Sequence, residues 1–324
     1  MKMKHFKYII STALAGVVLA GSPALAAYPD RPITFVVPFG AGSGTDKLAR
    51  VLAENVSKLV GQTVVVENKG GASGFIAAQE IARAKPDGYH IFVTSNTTHA
   101  SNSALFKKLP YDPVKDFAPI SKLGNIPLVL VVNPKSIPSK TVPEYIDYLK
   151  QNPDKVFFGS GSTSARIGGE LFKILTGTKI SNVDYKSNPQ AVVDTVGGQI
   201  QMMIADAATT LPLAREGKLR ALAVSTSKRT DIAPDLPTLA ESGVKGYEMV
   251  AWFAVYAPAG TPEEAIKTLN QAFVKTLNDP AIVKNLQIQG IEAESSSPEE
   301  LAAFQKAETE KWVDIVAKAG VDVR

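Results

Sequence analysis

The sequence predicts an α/β protein of two similar lobes, each a doubly wound α/β domain, with a ligand cleft between the two domains. Short apolar runs rich in β-branched residues alternate with stretches of helical periodicity, which is typical of βαβ units around a mostly parallel sheet. A strand, a loop of small residues and a helix follow one another at residues 33–60 and again at residues 156–175. Two further apolar runs, at residues 127–133 and 249–257, are predicted to carry the chain between the lobes and back.

The first 26 residues have the composition of a secretory signal peptide. The start is basic, the middle is apolar over residues 8–20, and Ala24-Leu25-Ala26 fits the small-residue cleavage pattern. The apolar run is shorter than the ~20 residues that a membrane-spanning helix needs, which disfavours the alternative of an uncleaved anchor. The sequence therefore predicts export, with a mature chain that begins at residue 27.

Charge and composition exclude several classes of protein. The whole chain has a formal net charge of +4, and the signal peptide holds three lysines and no acid, so the mature chain is close to neutral. Without a clustered basic face it is not expected to bind nucleic acid. There is no cysteine, so no disulfide and no thiol nucleophile is available. The mature chain has only His90 and His99 and no zinc motif, so neither a metal nor a cofactor is predicted.

The length of the mature chain favours two domains, at roughly 100–200 residues per domain. The two crossing runs place the first domain at residues 27–124 together with 251–324, and the second at residues 125–250. We expect the domains to close on a ligand by hinge motion near residues 125–128 and 250–252. The sequence lacks the heptad pattern of a coiled coil, and a monomer is expected.

The first strand, loop and helix form a candidate anion site. Residues 33–39 predict a buried strand, and the three glycines among residues 40–44 permit close approach of the backbone. Thr45 or Asp46 is predicted to cap the next helix, whose free N–H groups and positive dipole end favour an anion. Asp46 is expected to face its own helix, because its charge would repel an anion in the cleft.

Two more strands are predicted in the first lobe, at residues 63–67 and 90–95, with a turn and a helix ending near Ala84 between them. The strand at residues 90–95 runs into a polar segment that extends to His99. These polar side chains are candidates to line the same cleft. The alternative is a polar strand end that contacts no ligand.

The second lobe repeats the design of the first. A loop at residues 160–164 supplies serine and threonine hydroxyls, and Arg166 follows in the first turn of a helix. Arginine is suited to bidentate recognition of a carboxylate, although a solvated helix charge is the alternative role. The predicted elements from here onward are strands at residues 156–159, 180–185, 200–206 and 219–225, and helices at residues 141–151, 165–175, 189–196, 263–277 and 298–319.

No arrangement typical of catalysis is present. There is no GxSxG elbow, and Glu170, Asp184 and Asp206 are scattered acids without a paired motif. Residues 40–44 read GxGxG, which departs from the GxGxxG of dinucleotide-binding loops, so a dinucleotide-dependent enzyme with Glu67 on the ribose is only an alternative. A tight turn without a ligand is a second alternative for this loop. The sequence therefore favours a binding protein over an enzyme.

A series of short motifs, each ordinary alone, occurs in an order that is highly specific. On these motifs the chain, from Tyr28 to its C-terminus, resembles the Bug-type (TctC-like) extracytoplasmic solute receptors of tripartite tricarboxylate transport systems. The motifs are Tyr28-Pro29-Asp30-Arg31-Pro32-Ile33, Val37-Pro38-Phe39 followed by the glycine loop and Thr45-Asp46, Val65-Val66-Glu67-Asn68, Pro86-Asp87-Gly88-Tyr89, Leu109-Pro110-Tyr111-Asp112-Pro113, Lys115-Asp116-Phe117-Ala118-Pro119, Gly217-Lys218-Leu219-Arg220-Ala221-Leu222-Ala223-Val224 and Ala257-Pro258-Ala259-Gly260-Thr261-Pro262.

The resemblance implies a two-lobed, type II-like periplasmic binding fold in which the glycine loop of one lobe and the Ser/Thr loop of the other grip a carboxylate. It implies a periplasmic receptor that delivers a small organic acid, a dicarboxylate or an aromatic carboxylate, to the permease subunits of a tripartite tricarboxylate transporter. A receptor that feeds a signalling partner is the alternative. The implied site residues are Phe39, Gly42, Ser43, Gly44, Thr45, Thr94, Ser95, Asn96, Thr97, Ser160, Gly161, Ser162, Thr163, Ser164, Ala165, Arg166 and Asp206.

The chain departs from the family pattern at three places. Gly40-Ala41 stands where the family commonly has two prolines, which predicts a more flexible or roomier first loop. Arg166 stands where histidine is common, and residues 183–187 read Val-Asp-Tyr-Lys-Ser in place of Val-Pro-Tyr-Lys-Gly. We expect Arg166 to pair with a second carboxylate or with another polar end of the ligand.

Overall fold

The structure is a computed structural model that describes residues 28–323. The predicted signal peptide at residues 1–26 lies outside the described residues. Among the residues that are described, no helix has both the length and the apolar character needed to cross a membrane. The chain forms two α/β lobes that are joined by shared strands.

The first lobe is a mixed sheet covered by helices. Its strands are β1 (Ile33–Val37), β2 (Val64–Asn68), β3 (His90–Ser95), the first part of β4 (Phe117–Val132), β9 (Val250–Pro258) and β10 (Glu292–Ala293). Its helices are α1 (Gly44–Val60), α2 (Phe75–Ala82), α3 (Asn102–Leu105), α8 (Glu263–Leu277), α9 (Pro280–Ile288) and α10 (Pro298–Lys318). β1 lies parallel to and between β2 and β3, and β9 lies antiparallel between β3 and β4.

The second lobe has the same layered construction. Its strands are the second part of β4, β5 (Val156–Ser160), β6 (Ile180–Asp184), β7 (Met202–Asp206) and β8 (Arg220–Val224). Its helices are α4 (Val142–Gln151), α5 (Thr163–Thr176), α6 (Asn188–Gly197) and α7 (Ala207–Arg215). β5 is parallel to both β6 and β7, and β4 runs antiparallel to β7 and β8.

One strand and one serine join the lobes. Residues 117–127 of β4 pair with β9, and residues 128–132 pair with β7 and β8. The hydroxyl of the buried Ser225 accepts the Leu128 N–H at 2.9 Å and donates to the Met249 carbonyl at 2.6 Å. The Ser225 backbone also bonds both residues, each at 2.9 Å. Ser225 therefore fixes the two crossings to each other on the side of the second lobe.

Two local predictions need correction. Ser43 caps α1 in place of Thr45 or Asp46, because the positive φ of 80° at Gly42 turns the chain early and lets the helix begin at Gly44. The crossing strand predicted at residues 127–133 begins ten residues earlier, at Phe117. Its first part contains polar residues and register shifts, which hide the alternation that marks a strand.

The prediction of a mostly parallel sheet is wrong for the crossing strands, because β4 and β9 are antiparallel to their neighbours. The polar segment after β3 also differs from the expectation, since the chain turns directly into a π-helical turn at Thr97–Ser101 and then into α3. These polar side chains are buried: Thr94 Oγ1 lies 2.7 Å from Thr98 Oγ1 within the lobe, and Asn96 Nδ2 donates to Ser164 Oγ of the other lobe at 2.9 Å.

His99 is completely buried in the first lobe. Its ring stacks on Tyr256, with 3.8 Å between ring centroids, and its Nδ1 lies 2.9 Å from Thr98 Oγ1. Burial without an acidic neighbour disfavours the charged form and lowers the pKa of His99 to about 3. The folded protein therefore holds this histidine neutral over the whole physiological pH range.

We predict that Ser225→Ala destabilises the protein by about 2 kcal/mol, because the Leu128 N–H and the Met249 carbonyl lose a buried partner. Denaturant unfolding measures the change. Ser227→Ala is the matched control, because Ser227 is exposed in the same segment. Equal stability of the two variants would contradict the role given to Ser225.

We also predict that His99 makes the fold sensitive to acid. In the unfolded chain His99 binds a proton near pH 6.5, whereas in the folded chain it binds one only near pH 3. The contribution of neutral His99 to the free energy of unfolding is therefore complete above about pH 6.5 and is lost as the pH falls toward 3. Between pH 7 and pH 4 the loss is about 3 kcal/mol. Denaturant unfolding of His99→Phe is expected to show a weaker pH dependence than the wild type. The exposed His90, replaced by Gln, provides the control, and an unchanged pH dependence in His99→Phe would refute the prediction.

Candidate ligand-binding site

The cleft between the lobes contains two adjoining cavities. The inner cavity has a volume of about 40 Å³ and the outer one a volume of about 280 Å³. Phe39, Gly161 and Ser162 line both cavities. A single small ligand can therefore extend from the inner cavity into the outer one.

The inner cavity lies between the N-termini of α1 and α5. Ser43 and Ser162 are the N-caps, and each hydroxyl accepts the N–H of the third helical residue, Asp46 or Ala165, at 3.2 Å. In the first turn of any helix the N–H groups lack an acceptor within the helix. Within residues 28–323, two such groups on each helix have no hydrogen-bond acceptor, those of Gly44 and Thr45 on α1 and of Thr163 and Ser164 on α5. These four backbone donors lie at the positive ends of two helix dipoles.

The third wall of the inner cavity comes from the end of β3. Asn96 Nδ2 donates to Ser164 Oγ at 2.9 Å, which fixes this wall against α5. Ser95 Oγ accepts the Thr97 N–H at 3.3 Å. The Thr97 hydroxyl is buried, and within residues 28–323 it has no hydrogen-bond partner. It is therefore a side-chain donor that a ligand oxygen can satisfy.

Asp206 also lines the inner cavity, although its oxygens are already engaged. It is the N-cap of α7: Oδ1 accepts the N–H and the hydroxyl of Thr209, at 2.9 and 2.5 Å. Asn188 Nδ2 donates to Oδ2 at 2.7 Å, and the side-chain oxygen Oδ1 of Asn188 accepts the Gly161 N–H at 2.9 Å. Asp206 is therefore placed to position the cavity wall, and its charge disfavours direct contact with an anion.

Asp46 faces its own helix and loop, as the charge argument predicts. Its carboxylate accepts the Gly42 N–H at 2.8 Å and Asn68 Nδ2 at 2.9 Å, and it pairs with Arg50 at 2.9 Å. Burial raises the pKa of Asp46, but the hydrogen bonds from Arg50, Gly42 and Asn68 together outweigh that effect and lower it. The residue stays ionised and stiffens the first loop.

The outer cavity combines an apolar wall with charged groups. Arg166 lines it, with its Nη1 3.8 Å from Asp184 Oδ2, and the buried Nε of Arg166 has no hydrogen-bond partner among the described residues. The exposed Lys186 lies at the same rim. The apolar part of the wall consists of Pro38, Phe39, Leu105 and Phe106.

The two lobes touch across the cleft, so the structure is in a closed arrangement. Besides the contact between Asn96 and Ser164, Thr163 Oγ1 donates to Asn102 Oδ1 at 3.0 Å. Lys47 Nζ donates to the Ala208 carbonyl at 2.5 Å. The loops also meet closely, because a Cβ added at Gly40 would lie 3.0 Å from Ser187 Oγ.

Most residues implied by the sequence converge on these cavities. Those that line the inner cavity are Phe39, Ser43, Gly44, Thr45, Ser95, Asn96, Thr97, Gly161, Ser162, Ser164 and Asp206, and those that line the outer one include Ser160, Thr163 and Arg166. Gly42, Thr94 and Ala165 line neither cavity. Their polar groups are engaged within the protein, which makes them supports of the loops.

Sequence reasoning missed several lining residues. Asn188 begins α6, Leu105 ends α3, a helix that the sequence did not predict, and Phe106 follows that helix. Ile126 and Phe253 lie on the crossing strands β4 and β9. No signal in the sequence relates these positions to the loops, because it is the closing of the two lobes that brings them together.

A closed cleft between two α/β lobes, with a small polar cavity between facing helix N-termini, defines the class of two-lobed solute-binding proteins. Residues 48–321 match the family described as the tripartite tricarboxylate transporter family receptor, TctC, and the chain belongs to this family. It is 34% identical to Protein BugT of Bordetella pertussis over 327 residues, which is 100% of either chain.

Two solved structures are similar over most of the chain. R. palustris Rpa4515 with adipate is 36% identical, with a TM-score of 0.89, and the match covers 91% of this chain and 99% of that one. MatC from Rhodopseudomonas palustris with bound malate is 32% identical, with a TM-score of 0.83 and coverage of 89% and 100%. The predicted Bug-type, two-lobed fold is confirmed. The family consists of solute-binding receptors, so the alternative of a dinucleotide-dependent enzyme is rejected.

Proposed function

We propose that the protein is a periplasmic receptor that captures a small organic acid, a dicarboxylate or an aromatic carboxylate, and delivers it to a membrane permease of the tripartite tricarboxylate transport type. The observation that carries this proposal is the pair of facing helix N-termini at the inner cavity. Among the described residues, the unpaired N–H groups of Gly44, Thr45 and Ser164 and the Thr97 hydroxyl supply four donors around a space that suits one carboxylate group.

The inner cavity favours an anion through backbone N–H groups and not through a positively charged side chain. Among the described residues that line it, none is lysine or arginine. Each helix end contributes about 0.3–1 kcal/mol when exposed and up to about 2 kcal/mol when partly buried. A micromolar complex needs about 8 kcal/mol, so charge-assisted hydrogen bonds in the water-excluded closed cleft supply the larger share.

The outer cavity accommodates the other end of the acid. Arg166 suits a second carboxylate or another polar group, and the apolar wall at Phe39 and Phe106 suits a hydrocarbon chain or an aromatic ring. The adipate and malate that are bound to the two similar structures support a carboxylate ligand for this chain as well.

The delivery step rests on export and on closure. A signal peptide at residues 1–26 and the family's place in tripartite transport support a periplasmic location.

We assign residues 27–124 with 251–324 to one domain and residues 125–250 to the other, with hinges near residues 125–128 and 250–252, next to the Ser225 junction. The closed form would present the permease with a surface that the open form lacks. A signalling partner is the alternative recipient, and the genes beside the coding sequence discriminate between the two.

We predict that the mature protein, residues 27–324, is stabilised by one chemical class of acid. A thermal-shift screen of ligand-stripped protein against mono-, di- and tricarboxylates and aromatic acids measures this, because a ligand of the folded state raises the midpoint. A panel of amides and amines of similar size is the control. If no acid shifts the midpoint while an amide or amine does, the carboxylate proposal is wrong.

Thr97→Val is expected to weaken acid binding roughly tenfold or more, because the hydroxyl is a donor to the charged group. Folding should not suffer, since the hydroxyl has no partner among the described residues. Thr94→Val is the matched control: its hydroxyl bonds Thr98 and lines neither cavity, so stability should fall while affinity is kept. Calorimetry that gave Thr97→Val wild-type affinity would remove Thr97 from the site.

A further inference from the structure

Arg166 and Asp184 form a charge pair in the outer cavity. The capture of one carboxylate in the inner cavity does not require this pair. Arg166 projects from the first turn of α5, and Asp184 ends β6. Both line the same cavity. Any role for this pair in ligand choice rests on the proposed function, because it concerns the end of the acid that lies away from the inner cavity.

Two neutral side chains donate hydrogen bonds to Asp184. Ser160 Oγ donates to its Oδ1 at 3.2 Å, and Asn182 Nδ2 donates to the same oxygen at 2.6 Å. The carboxylate therefore makes hydrogen bonds at the end of β6 in addition to its contact with Arg166. It stays largely in contact with solvent, since 60% of its side chain is exposed.

The contact between the two charges is loose. The distance of 3.8 Å from Arg166 Nη1 to Asp184 Oδ2 is well beyond the 2.7–2.9 Å of a charge-assisted hydrogen bond. The Arg166 side chain is 22% exposed, and its Nε is buried without a partner among the described residues. A guanidinium in this state retains the capacity for a two-point contact with a ligand carboxylate or a one-point contact with a neutral carbonyl.

We propose that Asp184 is a specificity-determining residue of the outer cavity. Its fixed negative charge offsets that of Arg166 and limits how strongly the cavity prefers a second carboxylate over a neutral polar group at the far end of the acid. With Asp184 present, an acid with an amide or carbonyl end competes with a diacid. Without it, Arg166 favours the diacid.

Asp184→Asn tests the proposal with little risk to folding, because the residue is exposed and the side-chain shape is kept. The probes are adipate and its half-amide adipamate, which differ only in the charge at one end. We expect the affinity ratio of adipate to adipamate to rise roughly 2–5-fold in Asp184→Asn, as for removal of one partly exposed charge. The increase should shrink in 0.5 M salt, since screening weakens a charge effect and leaves a shape effect unchanged.

Asp147→Asn is the matched control, because it removes the same charge from an exposed position on α4. Calorimetry should give it the wild-type ratio. Binding of both probes with an unchanged or lower ratio in Asp184→Asn would overturn the role of Asp184 and leave the carboxylate receptor intact. If neither probe binds any of the proteins at millimolar concentration while no other acid stabilises the wild type, the proposed function itself fails.

Discussion

The rest of the structure serves to hold the unpaired first-turn N–H groups of α1 and α5 face to face. Neither helix end could be buried alone, because backbone donors without acceptors are costly to remove from water. Each lobe therefore caps one donor with its own serine, Ser43 or Ser162, and leaves two others at the cleft. In the proposed function, a carboxylate between the lobes satisfies both ends at once, which would couple the binding of an acid to the closing of the cleft.

Such coupling requires that each lobe moves as a unit and that the two lobes return to the same relative position when the cleft closes. β4 runs through both sheets, and Ser225 ties it to the returning chain at Met249, so the two crossings are fixed to each other. The contacts across the cleft are of another kind. They are single polar bonds such as Asn96 to Ser164 and Thr163 to Asn102, each worth about 1 kcal/mol, so the ligand can decide the balance between open and closed.

The sequence predicts the strands, helices and loops of each lobe, but it does not predict which residues of the two lobes lie against each other. Strand, small-residue loop and helix were predicted twice because the alternation of apolar periods is local, and so were the hydroxyls at residues 160–164. The cap of α1 was misassigned by two or three residues, since a positive φ at Gly42 leaves no mark in the sequence except glycine itself. Contacts made by closure left no local signal. Gly40 illustrates this, because it lies in the first lobe and faces Ser187 of the second lobe, far away in the chain.

The central claim is that a carboxylate lies between the two helix N-termini, and a crystal structure of the mature protein with adipate tests it most directly. The account predicts one carboxylate in the inner cavity, within hydrogen-bond distance of the Gly44 or Thr45 N–H, of the Thr163 or Ser164 N–H, and of the Thr97 hydroxyl. A ligand held only in the outer cavity against Arg166, with water alone between the helix ends, would contradict it.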